Sequence, residues 1–93
     1  MSFFVVTYAY SPDVAARDAV RPTHREWLAS LGDALVLSGP TDAEGAFLVF
    51  EAATAADVEA TLDADPFFVD GRIVAGRTVA GWTPVLGRAK DRL

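Results

Sequence analysis

The residues of this chain best suited to chemistry are its only histidine, His24, and an aspartate, Asp65. His24 stands in the stretch Arg-Pro-Thr-His-Arg-Glu-Trp-Leu, and Asp65 precedes a proline in Ala-Asp-Pro-Phe-Phe. Asp65 follows Leu62 by three residues, so it is expected to face the same sheltered region as His24. A carboxylate bonded to one ring nitrogen fixes the imidazole tautomer and leaves the other nitrogen free as a base or an acid. The pattern therefore predicts a His24–Asp65 acid–base pair.

Both residues also have an ordinary structural explanation. A lone histidine often donates a hydrogen bond to a backbone carbonyl and does nothing more. An aspartate followed by proline is a common start for a short helix, since the carboxylate caps the helix and the proline occupies its first position. The residue types alone leave both explanations open for His24 and for Asp65.

The helix that carries His24 is predicted to begin at Pro22, because proline fits the first helical position, where its N–H would be unpaired anyway. A helix over residues 22–31 then ends at Gly32. The apolar residues that follow His24 at three, four and seven positions share its stripe: Trp27, Leu28 and Leu31. In the first turn, the helix N-terminus would disfavour a protonated imidazole, while Asp65 would favour it.

Five further residues are candidates for contact with a ligand. Ser38, Gly39 and Pro40 follow an apolar run with small side chains, so the Ser38 hydroxyl or nearby backbone N–H groups could meet a ligand. Ordinary turn chemistry explains this stretch equally well. Arg21 could bind a carboxylate through two parallel hydrogen bonds, as could Arg77, although most such arginines are simply solvated.

Composition limits the classes of function. The 93 residues are enough for one domain, predicted over 1–93, and 52% of them are hydrophobic. A net charge of −5 and a pI near 4.5 argue against nucleic-acid binding, which needs a basic face. No cysteine and one histidine leave no ligand set for a zinc site, so we expect no metal and no other cofactor. No targeting or membrane segment is recognisable, and we expect a cytoplasmic protein.

The order of predicted elements is β-α-β-β-α-β, typical of an α+β, ferredoxin-like fold with a four-stranded antiparallel sheet. Strands are predicted over residues 3–10, 34–38, 46–51 and 73–82, with a second helix after a cap at Thr54. The tail over 87–93 is charged and expected to be loose. The first strand is apolar on both faces, so we expect a homodimer in which two sheets stack face to face.

Four sequence blocks together resemble the YciI-like (YCII-related) family. The resemblance runs from Phe3 to about Val85, and the blocks occur in the family's order: Arg21-Pro22-Thr23-His24 with Trp27-Leu28, Leu37-Ser38-Gly39-Pro40, Asp63-Ala64-Asp65-Pro66-Phe67, and Trp82-Thr83-Pro84. The resemblance implies a ferredoxin-like fold, a dimer of the dimeric α/β barrel type, and an active-site pocket whose histidine and aspartate fall on His24 and Asp65. Many members carry glycine or alanine where this chain has Ser38, so the resemblance implies no particular substrate.

Two hypotheses of function follow. In the first, the protein is a cofactor-free lyase or isomerase in which His24, oriented by Asp65, acts as base or acid on a small anionic or enolisable metabolite. The alternative is a non-catalytic dimeric module that binds a small molecule in the same pocket or serves a partner protein. Most members of the resembling family have no assigned reaction, and the residues name none.

Overall fold

A four-stranded antiparallel sheet forms the frame of the molecule, and the computed structural model describes all of residues 1–93. Two short 3-10 turns, Gly32–Ala34 and Lys90–Arg92, accompany the main elements. In chain order the main elements are β1 (Ser2–Tyr10), α1 (Val14–Ser30), β2 (Leu35–Thr41), β3 (Gly45–Ala52), α2 (Ala55–Leu62), α3 (Pro66–Val69) and β4 (Val74–Trp82). The strands lie in the order β2-β3-β1-β4. The fold is α+β and ferredoxin-like, as the sequence predicts.

One face of the sheet carries the core beneath the helices. Val6, at the centre of β1, is fully buried and pairs with Leu48 on one side and Val79 on the other. The buried cluster around it combines alternate residues of β1 and β3 with two residues of α2: Phe4, Val6, Tyr8, Ala46, Leu48, Phe50, Val58 and Leu62. Full burial of an apolar side chain contributes about 1.5–3 kcal/mol, so this cluster supplies most of the drive to fold.

The opposite face of the sheet is apolar and accessible. Phe47 alternates with the buried Ala46 and Leu48, so it projects away from the helices, and 44% of its surface is exposed. Leu37 of β2 and Trp82 of β4 remain 68% and 41% exposed. These three side chains form what we call the open face.

The structure corrects the predicted start of the first helix. Asp13 caps α1 by accepting a hydrogen bond from the Ala16 N–H at 3.0 Å, so the helix begins eight residues before Pro22. Pro22 lies inside α1, where it lacks the N–H that would bond the carbonyl of Asp18. The exposed position of Pro22 lets water reach that carbonyl. Proline therefore does not open this helix.

This correction moves His24 away from the helix N-terminus. His24 follows the first helical residue, Val14, by ten positions, and six more residues of α1 follow it. The field of a helix end acts within the first or last turn, so the predicted effect of the N-terminus on the imidazole is wrong. Trp27, Leu28 and Leu31 pack against the core, as their spacing predicts.

The second strand is longer than predicted. Gly39 and Pro40 lie inside β2, opposite Phe47 and Ala46, and do not end the strand after Ser38. Proline is tolerated there because β2 is an edge strand, where its missing donor faces no partner. The hairpin to β3 needs Gly45, since a Cβ atom at this position would lie 2.1 Å from the Tyr8 carbonyl oxygen.

The remaining elements follow the predictions closely. Thr54 caps α2 by accepting a hydrogen bond from the Asp57 N–H at 3.1 Å. The charged tail contains the 3-10 turn Lys90–Arg92, so it has some regular structure where none was expected. No helix in the molecule has the length and hydropathy needed to cross a membrane.

Candidate functional site

A cavity of about 250 Å³ lies between α1, α3 and the helix side of the sheet. This volume is near the lower end for ligand pockets, roughly 300–1,000 Å³, and suits a small molecule. Its walls come from five elements: Tyr8 and Tyr10 of β1; Arg17, Arg21, His24, Arg25 and Leu28 of α1; Ser38, Gly39 and Pro40 of β2; Ala46 and Leu48 of β3; and Phe67 of α3. Five of the seven predicted site residues line this one cavity, Asp65 lies behind it, and Arg77 lies elsewhere.

The structure brings His24 and Asp65 together. The His24 Nδ1 atom lies 2.7 Å from the Asp65 Oδ1 atom, in a hydrogen bond that joins residues 41 positions apart in the chain. The other ring nitrogen, Nε2, makes no hydrogen bond within the protein, and it is not one of the fully buried polar atoms that lack a partner. Because the carboxylate accepts at Nδ1, the neutral ring carries its proton there and leaves the Nε2 lone pair free. The ring can therefore take up or release a proton at Nε2.

Asp65 serves as a helix cap and as a histidine partner at the same time. Its Oδ1 atom also accepts from the Phe67 N–H at 2.9 Å and so caps α3. Its Oδ2 atom accepts from the Tyr8 hydroxyl at 2.8 Å, and the residue is 0% exposed. A buried carboxylate needs such donors to stay ionised. The capping explanation and the partner explanation are thus both correct, since one carboxylate does both.

Tyr8 is a site residue that the sequence reading missed. Its ring is 1% exposed, and its hydroxyl donates to Asp65. Burial, the nearby Asp65 charge and this hydrogen bond raise the pKa of Tyr8 far above its ordinary value of 10.0. Tyr8 is therefore a permanent hydrogen-bond donor. Burial, followed by the Asp65 charge, also raises the pKa of Tyr10, while Arg17 and Arg21 oppose the rise.

Phe67 holds the imidazole in its plane. The rings of His24 and Phe67 are stacked with centroids 3.8 Å apart and planes within 3°. Trp27 lies on α1 with its ring centroid 6.2 Å from that of His24, tilted by 25°. The ring is thus positioned by a carboxylate at one edge and an aromatic face beside it, which is the rigid support that proton transfer requires.

Four of the five predicted ligand-binding residues reach the cavity wall. Arg21 lines it and pairs with Asp18 through a 2.5 Å contact between its Nη1 atom and Oδ1. Ser38, Gly39 and Pro40 line it from β2. Their role in binding stays a prediction, because geometry places them at the cavity and assigns them no ligand.

Arg77 is placed elsewhere. Its guanidinium contacts Asp63 at 2.6 Å and Glu59 at 3.4 Å, and it lies 4.2 Å from the ring centre of Phe68. These two carboxylates thus pair with the guanidinium that was expected to be available to a ligand. Arg77 fastens α2 to β4.

Arg17 and Arg25 line the cavity and were also missed by the sequence reading. They precede and follow Arg21 by four residues, so all three lie on one face of α1. This spacing was a usable signal, but it was hidden while α1 was expected to begin at Pro22. Tyr8 left a weaker signal, a hydroxyl at a core position of β1. No group of three or more histidine, cysteine, aspartate or glutamate side chains is arranged to hold a metal ion.

Solved structures with the same fold include an enzyme. The chain is similar to 5-chloro-2-hydroxyhydroquinone dehydrochlorinase (TftG) from Burkholderia phenoliruptrix AC1100, solved in complex with 2,5-dihydroxybenzoquinone. The two share 25% sequence identity over 87% of this chain and 93% of that chain, with a TM-score of 0.79.

Two more distant structures share the fold alone. Protein Atu4242 from Agrobacterium tumefaciens matches with 18% identity and a TM-score of 0.60, over 91% of this chain and 94% of that one. An antibiotic biosynthesis monooxygenase matches with 16% identity and a TM-score of 0.59, over 92% and 100%.

A family model covers most of the chain. The model of the YCII-related domain matches residues 1–83, which include every residue that lines the cavity and Asp65 behind it. No curated protein matches this sequence. By the extent of the family match, and in agreement with the fold and the TftG structure, this chain belongs to the YCII-related domain family.

Proposed function

We propose that this protein is a cofactor-independent lyase or isomerase that acts on a small anionic or enolisable metabolite. The observation that carries the proposal is the His24–Asp65 contact of 2.7 Å at the wall of a small cavity. A histidine with one nitrogen fixed by a buried carboxylate and the other free is the usual arrangement of a general base.

The reaction would begin at the Nε2 atom of His24. In an elimination, Nε2 takes a proton from an acidic C–H bond, and the electron pair of that bond forms a new C=C bond. The leaving group departs from the neighbouring atom with its own bonding pair. In an isomerisation, the proton is returned to another atom of the same substrate. In both cases Asp65 stabilises the imidazolium that forms.

The rest of the site supports this chemistry. Tyr8 donates to Asp65 and keeps that carboxylate fully hydrogen-bonded while the charge on His24 changes. Arg21 and its helical neighbours give the cavity positive charge, which favours an anionic substrate. Similarity to TftG, which is a dehydrochlorinase, favours elimination over other acid–base reactions.

We also propose that two copies of the chain pair through the open face. Phe47, Leu37 and Trp82 are large apolar residues on that face, and each is more than 40% exposed. Large exposed apolar side chains on a sheet face are typical of protein interfaces, and such a face can stack on a second copy of itself. The cavity lies on the helix side, so this pairing leaves it open to ligand.

Proton exchange provides the direct test of the catalytic proposal. A panel of small 2-oxo acids and 5-chloro-2-hydroxyhydroquinone is incubated with the protein in D₂O, and NMR follows deuterium entry at acidic carbons and formation of any product. We expect exchange or elimination with at least one member, and a loss of about two to four orders of magnitude in His24→Ala.

Thr23→Ala is the matched control, because Thr23 is an exposed neighbour on the same helix that does not line the cavity. Turnover that survives in His24→Ala would contradict the proposal. Binding of panel members to the cavity without exchange or product would favour the non-catalytic binding module instead.

A further inference from the structure

Three arginines of this acidic protein gather around the cavity. Arg17, Arg21 and Arg25 line it, and none of its lining residues is an aspartate or a glutamate. The chain as a whole has a net charge of −5. The three cationic side chains at the cavity are thus a local feature, and they favour an anion inside.

Arg17 is the buried member of this group. Its side chain is 9% exposed, compared with 40% for Arg21. Its guanidinium carbon lies 4.8 Å from the ring centre of Tyr10, and its Nε atom is buried without a hydrogen-bond partner. A buried guanidinium with an unused donor is costly unless an anion completes its hydrogen bonds. Arg17 therefore provides a buried positive group that is suited to bind an anion.

The anion that now meets Arg17 comes from the protein itself. Its Nη2 atom contacts the Glu44 Oε2 atom at 3.0 Å. The Glu44 side chain is 72% exposed, and the Tyr10 N–H holds the Glu44 carbonyl at 2.8 Å. The backbone of Glu44 is thus fixed, while its carboxylate needs only a side-chain rotation to move into water.

A comparison with Arg77 shows why Arg17 is available. Arg77 is nearly as buried and also has a buried nitrogen without a partner, Nη1, but Asp63 and Glu59 both hold it and it does not line the cavity. Arg17 has one carboxylate partner, on an exposed side chain, and it does line the cavity. Only Arg17 combines burial, an incomplete set of partners and access to ligand.

We infer that Arg17 binds the carboxylate of the ligand and that Glu44 occupies the same guanidinium as a competitor until the ligand arrives. The ligand class is a small carboxylate with an apolar, planar body, because aromatic and aliphatic residues such as Tyr10, Phe67 and Leu28 form part of the wall. This inference rests on the proposed function, since it assigns a substrate class to the same cavity.

Binding of a matched pair of probes tests the inference. 2-Hydroxybenzoate and the uncharged 2-hydroxybenzamide have the same shape, and each is titrated into the ¹⁵N-labelled protein while NMR follows His24 and Phe67. We expect the carboxylate to bind at millimolar concentration, about tenfold or more tightly than the amide. Equal affinity for the two probes, or no binding of the carboxylate, would overturn the inference.

Two substitutions separate ligand binding from competition. Glu44→Gln removes the competing charge and should tighten 2-hydroxybenzoate binding by about two- to fivefold, the range of an exposed ion pair. Arg17→Met keeps an apolar stem on Tyr10 and should weaken binding by about tenfold or more. Arg72→Met is the control, because it removes a positive charge from a site paired with Asp70 and outside the cavity.

Each result is decisive for one of the two proposals. An unchanged affinity for 2-hydroxybenzoate in Glu44→Gln would reject the competition between Glu44 and the ligand. If Arg17→Met does not fold, the result for Glu44→Gln decides alone, because Glu44 is exposed. Exchange that depends on His24 together with binding that ignores Glu44 and Arg17 would reject this inference and keep the catalytic proposal. Carboxylate binding that depends on Arg17 and Glu44 as expected, without any proton exchange, would keep this inference and reject the catalytic proposal.

Discussion

The rings of His24 and Phe67 lie face to face, with their centroids 3.8 Å apart and their planes within 3° of parallel. The imidazole comes from α1 and the phenyl ring from α3, so two helices meet at this contact. Because Asp65 bonds Nδ1 while Phe67 covers one face, the ring has neither freedom to flip nor freedom to tilt. The direction of the free Nε2 lone pair is thus set by two residues that are nearly adjacent in sequence.

Phe67→Leu should release the imidazole without abolishing the fold. Phe67 is 3% exposed, and we expect a loss of about 1–3 kcal/mol in the free energy of unfolding, less than truncation to alanine. The ring protons of His24, shifted by the stacked phenyl ring, should move toward random-coil values in the NMR spectrum. Phe68→Leu is the control, since Phe68 stacks on Arg77 and not on His24. Identical shifts in the two variants would contradict the assigned role of Phe67.

Asp65→Asn should disturb His24 while keeping α3 in place. Asparagine is as good a helix cap as aspartate, so the Phe67 N–H keeps its acceptor. The Phe67 N–H and the His24 Nδ1 atom share Oδ1, so an asparagine that keeps the cap gives His24 a neutral acceptor, which is weaker than the carboxylate. The Tyr8 hydroxyl, which donates to Oδ2, would face the amide NH₂ and lose its acceptor. We expect a loss of about 1–3 kcal/mol in unfolding free energy and of about two to four orders of magnitude in any His24-dependent turnover.

The tautomer of His24 gives a readout of Asp65→Asn that needs no substrate. Ring ¹⁵N spectra of the neutral form should show the Nδ1–H tautomer in the wild-type protein and a mixed population in the variant. The chain has one histidine, so these signals need no assignment. A dominant Nε2–H tautomer in the wild type would mean that the 2.7 Å contact does not orient the ring as we describe.

Tyr8 should make the protein sensitive to alkali. Burial raises the pKa of Tyr8 above 10.0 in the folded protein, so the folded state keeps a proton that the unfolded chain loses. The stabilisation is complete below pH 10 and falls as the pH rises further, by about 1.4 kcal/mol per pH unit. Urea unfolding of wild type and Tyr8→Phe above pH 10 measures this slope. The unfolding free energy of Tyr8→Phe should fall less steeply with pH than that of the wild type. An equal slope would assign the loss of stability in alkali to other groups.

Phe47→Glu should separate the proposed dimer into monomers. Phe47 is 44% exposed at the open face, and a buried, unpaired carboxylate at an interface costs several kcal/mol. Phe68→Glu is a matched control, because Phe68 is 38% exposed on the helix side and a glutamate there would lie beside Arg77. Sedimentation at micromolar concentration should show a dimer for wild type and the control. A wild-type monomer would overturn the dimer proposal.

The apolar runs that predict strands, the break signals between them and the resulting order of elements were enough to predict the ferredoxin-like fold. The start of α1 was mispredicted because a cap at Asp13 and good helix formers after it outweigh an internal Pro22. The position of β2 was mispredicted because an edge strand accepts Gly39 and Pro40, which would end a central one. Local residue preferences cannot reveal such tertiary settings.

The candidate site was predictable in part. His24 and Asp65 could be paired because each is spaced in register with apolar residues that face the core: His24 precedes Trp27 and Leu28, and Asp65 follows Leu62. Tyr8 and Arg17 could not, since their roles depend on side chains from β1, α1 and the β2–β3 hairpin meeting across the fold. A tyrosine in a buried strand is ordinary until the acceptor of its hydroxyl is known.

Because α3 is only four residues long, the site can lose its structure while the rest of the protein stays folded. A single turn of four residues has no stability of its own and stays folded only through its Asp65 cap and the packing of Phe67. A subglobal opening of this turn would withdraw both supports of His24 at once, while the sheet and the core cluster remain intact. The population of competent sites is therefore governed by the opening free energy of one helical turn, and on heating the site should be lost well before the fold.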